Sequence, residues 1–330
     1  MKSLAYYIFA LLLLTSISSC QNSGSNQQAD QKEIKSDTNK QYIMVAHRGC
    51  RGLLPENTIP AFLHGIELGA DCIEMDVYIT KDNKVVVSHD PTISPLFGSN
   101  PDGSAVTPEQ SKELIIYNMT YDELEKYDVG KRQNPRFPRQ KTMPVKIPLL
   151  SDVFKAVDNY YKENSDIKKR IIFIIEIKGP KRWDKIYHPE IPIYVDRVME
   201  EIQKYHGPDR VIMHSFDVRS VNYIHKKYPS FTVSYLKRYK GVKVNLDSVD
   251  FTPKSYEPLF STLTKTDVDS LHQFGIKVVP WTVDTLFQME EMIEILNVDG
   301  LTSDYPDITI PRWGDKDRQL DPKTLTFKNW

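Results

Sequence analysis

The chain is poor in cysteine, balanced in charge and short of long apolar runs. Three cysteines in 330 residues cannot build a disulfide framework. Cys72 lies in an apolar run and reads as a small core residue. Cys50 sits near a charged word, and neither is expected to be catalytic or bridged to the other. Lys and Arg number 43 against 44 Asp and Glu, a formal net charge of −1. That balance excludes a nucleic-acid footprint, and there is no acidic tail. Attraction for an anionic ligand must therefore be local. The apolar run Leu4–Leu14 is too short to span a bilayer as a mature helix.

What is present is an ordinary globular composition, 26% charged, at a length that suits one large barrel or two medium domains. Eight strand candidates follow one another: 42–46, 72–77, 171–177, 211–215, 231–236, 249–252, 276–281 and 299–302. Helical periodicity fills most gaps, at 59–68, 149–161, 193–205, 218–227, 265–274 and 286–296, the first with Asn57 or Thr58 as N-cap and Pro60 in its first turn. Eight such repeats predict an α/β fold, a TIM (β/α)8 barrel. A ninth run, 84–88, follows the second strand after only Thr80-Lys81-Asp82-Asn83. Parallel neighbours need a longer crossover, so this run is an antiparallel hairpin arm. It should return His89 to the level of Asp76. Residues 91–146 form an insertion with one short helix near 121–126. Its basic residues Lys131, Arg132, Arg136, Arg139 and Lys141 read as a solvated surface.

The chemistry concentrates in residues 46–90. Glu74 and Asp76 are two apart on a strand and share a face. Two carboxylates together need a cation or a proton between them. Glu176 adds a third at the top of the next barrel strand, with Lys178 two residues on. A lone histidine is more often a satisfied core residue, but His47 precedes Arg48-Gly49 and His89 precedes Asp90, at the ends of apolar runs. Arg48 offers a planar fork for a phosphodiester. Three carboxylates without clustered thiols suit Mg²⁺ or Ca²⁺ rather than structural zinc. The set points to metal-assisted hydrolysis with histidine acid–base chemistry. His64, His188, His206, His214, His225 and His272 lack a motif and are read as surface or helix-face residues.

The stretch resembles the glycerophosphodiester phosphodiesterase family. The matching words are His47-Arg48-Gly49, Pro55-Glu56-Asn57-Thr58, Gly69-Ala70-Asp71, Ile73-Glu74-Met75-Asp76-Val77, Thr80-Lys81-Asp82 and His89-Asp90. Weaker words continue through Ile147-Pro148-Leu149-Leu150, Ile175-Glu176-Ile177-Lys178, Ser215-Phe216-Asp217, Trp281-Thr282-Val283-Asp284, Asp299-Gly300 and Asp304-Tyr305-Pro306. The resemblance implies that Glu74, Asp76 and Glu176 hold a divalent cation. It implies that His47 and His89 are acid and base and that a small glycerophosphodiester is the substrate, split to glycerol 3-phosphate and an alcohol. Arg48 and Lys178 are then charge-neutralising catalytic groups that also bind substrate, and Phe216 and Trp281 pack against it. Glu56 and Asp90 stand behind them as orienting partners. Asp284 stands where many members have Asn. A lysophospholipase acting on membrane lipid would use the same barrel, with Leu96, Phe97 and Phe137 as its apolar rim. A surface lipoprotein that binds without turnover is a third reading, and the full catalytic set argues against it.

Ahead of the barrel, Lys2 and the run 4–14 fit a signal-peptide core. Ile17-Ser18-Ser19-Cys20 looks like a bacterial lipobox. Cys20 is expected to be lipidated and to anchor the protein to a membrane of the bacterial cell envelope, periplasmic or at the surface. Residues 21–40 are polar and read as a flexible tether. The expected division is thus 1–20 signal, 21–40 tether, 41–311 barrel and 312–330 tail.

Overall fold

The structure is a computed structural model that describes residues 40–329. The signal, the Cys20 lipidation site and nearly all of the expected tether lie outside the described residues. Among the described residues, no helix is long and apolar enough to cross a membrane.

Eight parallel strands form the barrel: β1 (Ile43–Ala46), β2 (Cys72–Ile79), β4 (Ile172–Ile177), β5 (Val211–Ser215), β6 (Thr232–Lys237), β7 (Ser255–Pro258), β8 (Lys277–Val278) and β9 (Gly300–Ser303). Their order is β8-β7-β6-β5-β4-β2-β1-β9. Backbone bonds from Asp299 N to Val278 O (2.8 Å) and from Thr302 N to Pro280 O (3.0 Å) bring the two ends together. The hairpin arm is β3 (Val85–Val87), antiparallel to β2 with Val77 opposite Val87. Ser88 N donates to Asp76 O at 2.9 Å, so the arm returns His89 to the height of Asp76.

One expected strand is wrong. Residues 249–252 form a turn that drops Val249 into the core, and the sixth barrel strand is β7 instead. Its side chains Ser255 and Glu257 are polar and buried, so hydropathy passes over it.

Alternate residues on each strand serve two cores. Met44, Ala46, Ile73, Met75, Val77, Phe173, Ile175 and Ile177 face outward onto helical residues such as Phe62, Phe154, Tyr194 and Val198. Ile43, Val45, Cys72, Ile172, Ile174, Ile212 and Val279 form a separate inner core. Residues beyond 313 fold back as a hairpin, β10 (Arg318–Asp321) with β11 (Thr326–Asn329). It inserts Leu320 and Leu325 into that inner core, at the N-terminal end of the barrel. Buried Arg318 there meets Asp71 at 3.3 Å. Cys50 and Cys72 are both buried free thiols. The insertion carries two short helices, 108–113 and 121–124, over a small core of its own built on Tyr78, Val86, Ile116 and Leu124.

Candidate active site

The strand register builds the site. Asp76 pairs with Glu176, Glu176 with His214 and His214 with Ser234 across β2, β4, β5 and β6. Paired residues on parallel neighbours share a face, so these four form one inward layer, with Glu74 one step below Asp76. Above it lies a cavity of about 280 Å³, lined among others by His47, Arg48, Glu56, His89, Lys178, Phe216 and Trp281. This is the C-terminal face, where barrel strands end and loops carry function.

The loop after β1 delivers His47 and Arg48. Gly49 makes it feasible: at φ +88° it lies so close to the helix 59–68 that a Cβ would sit 2.6 Å from the Ala61 carbonyl carbon. Arg48 itself is left-handed at φ 49°, a strained choice for this residue. That turn aims its backbone N–H at Glu74 (2.9 Å) while its guanidinium reaches Glu56 at 2.7 Å and Asp76 at 3.3 Å. Burial works against the Arg48 charge, but the surrounding carboxylates, Glu56 first, more than offset it and raise its pKa. Glu56 is thus the nearest carboxylate partner of the Arg48 guanidinium.

His47 Nδ1 lies 2.6 Å from Asp304 Oδ1, and Nε2 is 3.8 Å from Glu74. Arg51 grips the same aspartate with two bonds, 2.8 and 2.9 Å. Burial pushes the Asp304 carboxyl up, yet His47 and Arg51 hold it well below the usual range. His89 Nδ1 is 2.8 Å from Asp90 Oδ1. Its pKa is lowered, first by loss of water and then by Lys178 and Arg48.

Asp76 is fully engaged. Lys178 Nζ lies 2.9 Å away and Asn57 donates at 2.8 Å. Asn57 adopts φ 56° to do so. Burial raises the Asp76 carboxyl, and Lys178 and Arg48 outweigh it. Lys178 also reaches Glu176 at 2.7 Å. Even so, burial and the Asp76 charge leave Glu176 pushed up to about 7. Among the described residues, the acidic and histidine side chains whose ligand atoms converge within 4.8 Å are Glu74, Glu176 and His214. Asp76 is next to them but turned to its cations in this arrangement.

His214 departs from the sequence reading. It is 3% exposed inside the barrel, not on the surface, and His188 is buried as well. His214 Nδ1 bonds Glu257 at 2.7 Å, while Nε2 lies 3.8 Å from Glu74 with no hydrogen-bond partner. Burial disfavours its charge, but Glu257, Glu74 and Glu176 raise its pKa to about 10. Sequence reasoning also missed Arg51, Asp304 and Glu257. The inward alternation of Ile212, His214 and Phe216 signalled His214, and the word Asp304-Tyr305-Pro306 marked Asp304 without giving it a role.

Phe216 and Trp281 meet edge to face, 5.3 Å between centroids. Trp281 Nε1 donates to Glu257 O at 2.9 Å, fixing the indole at the cavity wall. Asp284 accepts from Asp304 N at 2.9 Å. Of the insertion's basic residues, Arg132 binds Gly98 O (2.6 Å), Arg139 pairs with Asp307, and Arg136 lines the cavity.

Residues 47–308 match the model of the glycerophosphoryl diester phosphodiesterase family. A glycerophosphodiester phosphodiesterase of Caldanaerobacter subterraneus subsp. tengcongensis is 30% identical over 81% of this chain and 96% of its own length. A human lysophospholipase D is 38% identical over only 38% of this chain and 35% of its own. Among solved structures, a glycerophosphoryl diester phosphodiesterase of Silicibacter pomeroyi superposes with a TM-score of 0.73 at 24% identity, covering 83% of this chain and 93% of that one. An Oleispira antarctica phosphodiesterase solved with sn-glycerol-3-phosphate gives 0.62 at 19% identity, covering 80% and 94%. With a family match over most of its length and a barrel of the same architecture as these solved structures, the chain belongs to the glycerophosphoryl diester phosphodiesterase family.

Proposed function

We propose that this protein hydrolyses small glycerophosphodiesters to glycerol 3-phosphate and an alcohol, in a reaction that needs a divalent cation and two histidines. The observation that carries it is the pairing of each histidine with its own aspartate, His47 with Asp304 and His89 with Asp90, in one cavity with Arg48 and Lys178. The donors fit a cation. Glu74 and Glu176 are buried carboxylates that converge on one point, and His214 beside them would join only by giving up its Nε2 proton to the incoming cation. Two facing carboxylates gain from a positive centre. Oxygen-rich ligation favours Mg²⁺ or Ca²⁺, and Asp76 stands close enough to join by releasing Lys178. Once bound, the cation supplies Lewis-acid polarisation of a phosphate oxygen and a template for glycerol hydroxyls.

The protein's own groups complete the reaction. His89, its pKa lowered by burial and then by Lys178 and Arg48, stands neutral and takes a proton from the attacking group: from water, which gives glycerol 3-phosphate directly, or from the glycerol 2-hydroxyl, which gives a cyclic phosphate that water then opens to glycerol 3-phosphate. His47, held by the Asp304 carboxylate, delivers a proton to the departing alkoxide. Arg48 and Lys178 neutralise charge gathering on the phosphate oxygens. Phe216 and Trp281 wall the glycerol or alcohol moiety. The apolar rim that a lipid substrate calls for is small: Leu96 is 39% exposed and Phe137 only 7%. That favours soluble diesters over membrane lipid. Phosphorus NMR of glycerophosphoethanolamine, -choline, -inositol and bis-glycerol phosphate, with and without chelator, tests the reading. Metal-dependent release of glycerol 3-phosphate is expected, and undiminished turnover after exhaustive chelation would overturn the metal requirement.

A further inference from the structure

The cavity sorts its charges by depth. Of the carboxylates lining it, Glu56 is held by Arg48, Asp90 by His89 and Glu257 by His214. Glu74 and Glu176 belong to the converging donor set. Of the cations, Arg48, Arg51 and Lys178 are all matched by carboxylates. Arg136 and Arg238 also line the cavity, are exposed, and have no carboxylate partner among the described residues. Arg136 comes from the insertion. Arg238 follows β6 and lies over the Trp281 ring, 5.5 Å from its centroid.

That stacking bears on the leaving alcohol. An aromatic wall attracts an ammonium headgroup only through a free ring face. Here the Trp281 ring is met by Arg238 and by the edge-to-face contact with Phe216, and Lys178 Nζ lies 6.0 Å from the Phe216 centroid. A choline or ethanolamine headgroup would meet like charge. The outer cavity therefore presents two unmatched guanidinium forks, suited to bidentate binding of phosphate. A phosphate monoester carries roughly −1.5 to −2 charge at neutral pH and three acceptor oxygens, which matches them.

Resting on the phosphodiesterase reading above, we propose that Arg136 and Arg238 form a headgroup subsite selecting glycerophosphodiesters whose alcohol bears a second, terminal phosphate. The test uses the full chain with added Mg²⁺ and three diesters that share the glycerol 3-phosphate half. Their alcohols are ethanolamine, glycerol, and glycerol carrying a terminal phosphate monoester. At low salt, kcat/KM for the phosphorylated diester is expected to exceed that for the glycerol diester by roughly tenfold or more, with ethanolamine lowest. The preference should reside in KM and shrink as salt screens it. In R136Q and R238Q the ratio should fall toward one, and R238E should move the order toward ethanolamine. Hydrolysis of all three diesters at similar kcat/KM, or a ratio unmoved by the variants, would overturn the subsite and leave the phosphodiesterase reading standing. Failure to hydrolyse any of them would overturn that reading, and the subsite with it.

Discussion

His47 and Asp304 meet at 2.6 Å although 257 positions separate them in sequence. The first barrel strand ends at one and the last at the other, because His47 N bonds Ser303 O at 3.0 Å where the barrel closes. Asp304 thus fixes which imidazole nitrogen faces the cavity. Asp304→Asn is expected to fold and to lose activity by roughly 10²-fold or more, the scale of removing an aspartate that orients a working histidine. A variant of near-normal kcat would show that the aspartate serves Arg51 alone.

The same contact has a pH signature. Asp304 titrates below its unfolded value, so its contribution to stability is fully present above the ordinary carboxylate pKa near 3.9. It is lost as pH falls toward the depressed folded value. Thermal melts between about pH 5 and pH 2 should therefore show a steeper decline for the wild type than for Asp304→Asn. Parallel curves would argue that the pair adds nothing to stability.

His47→Ala and His89→Ala should each lower turnover by at least roughly 10²-fold. A diester with a leaving group of low pKa should rescue His47→Ala and not His89→Ala. The reverse pattern would exchange the acid and base roles. Since the His89 pKa is lowered, its basic form should persist somewhat below pH 6.5, the ordinary histidine value.

Cation binding should be visible without catalysis. Added Mg²⁺ or Ca²⁺ is expected to raise Tm, because a ligand that binds only the folded state stabilises it by mass action. Glu74→Gln, Glu176→Gln and His214→Ala should each reduce that increment. An increment that survives His214→Ala but not Asp76→Asn would assign the ligand set to Glu74, Asp76 and Glu176 instead.

The barrel floor offers a stability test. Leu320 is 1% exposed in the inner core, and Leu320→Ala should cost about 2–5 kcal/mol, the range for truncating a buried leucine. Denaturant melts would measure it. A cost under about 1 kcal/mol would mean that the hairpin packs loosely and that residues beyond 313 are dispensable.

We propose membrane anchoring through Cys20, on the apolar run and the Ile17-Ser18-Ser19-Cys20 word. Cys20→Ser should move the protein out of the membrane fraction or block its processing. A chain starting near residue 40 should stay soluble and active on soluble diesters. If that shortened chain hydrolyses none while the full chain does, a membrane-lipid substrate becomes the better reading.

Much of the site was legible in the chain because strand geometry is local. Alternation alone places Glu74 with Asp76 and Glu176 with Lys178 on shared faces, and the short turn 80–83 forces the hairpin that returns His89. The longer helices of the barrel announced themselves by their apolar periodicity, whereas the short ones at 108–113, 242–246 and 306–313 did not. What sequence could not show lies in contacts between distant strands and in strands that look polar. Ser255 and Glu257 face the barrel interior, so β7 has no apolar run to betray it. His214 looked like any unattached histidine until register set it beside Glu176, and Asp304 became the partner of His47 only when the barrel closed. The hairpin 318–329 has few apolar residues, and only the open barrel floor gives them a place to go. Local periodicity decided the elements and their faces, whereas closure of the barrel decided which charges meet, because such pairings depend on strand order and register rather than on any short stretch of chain.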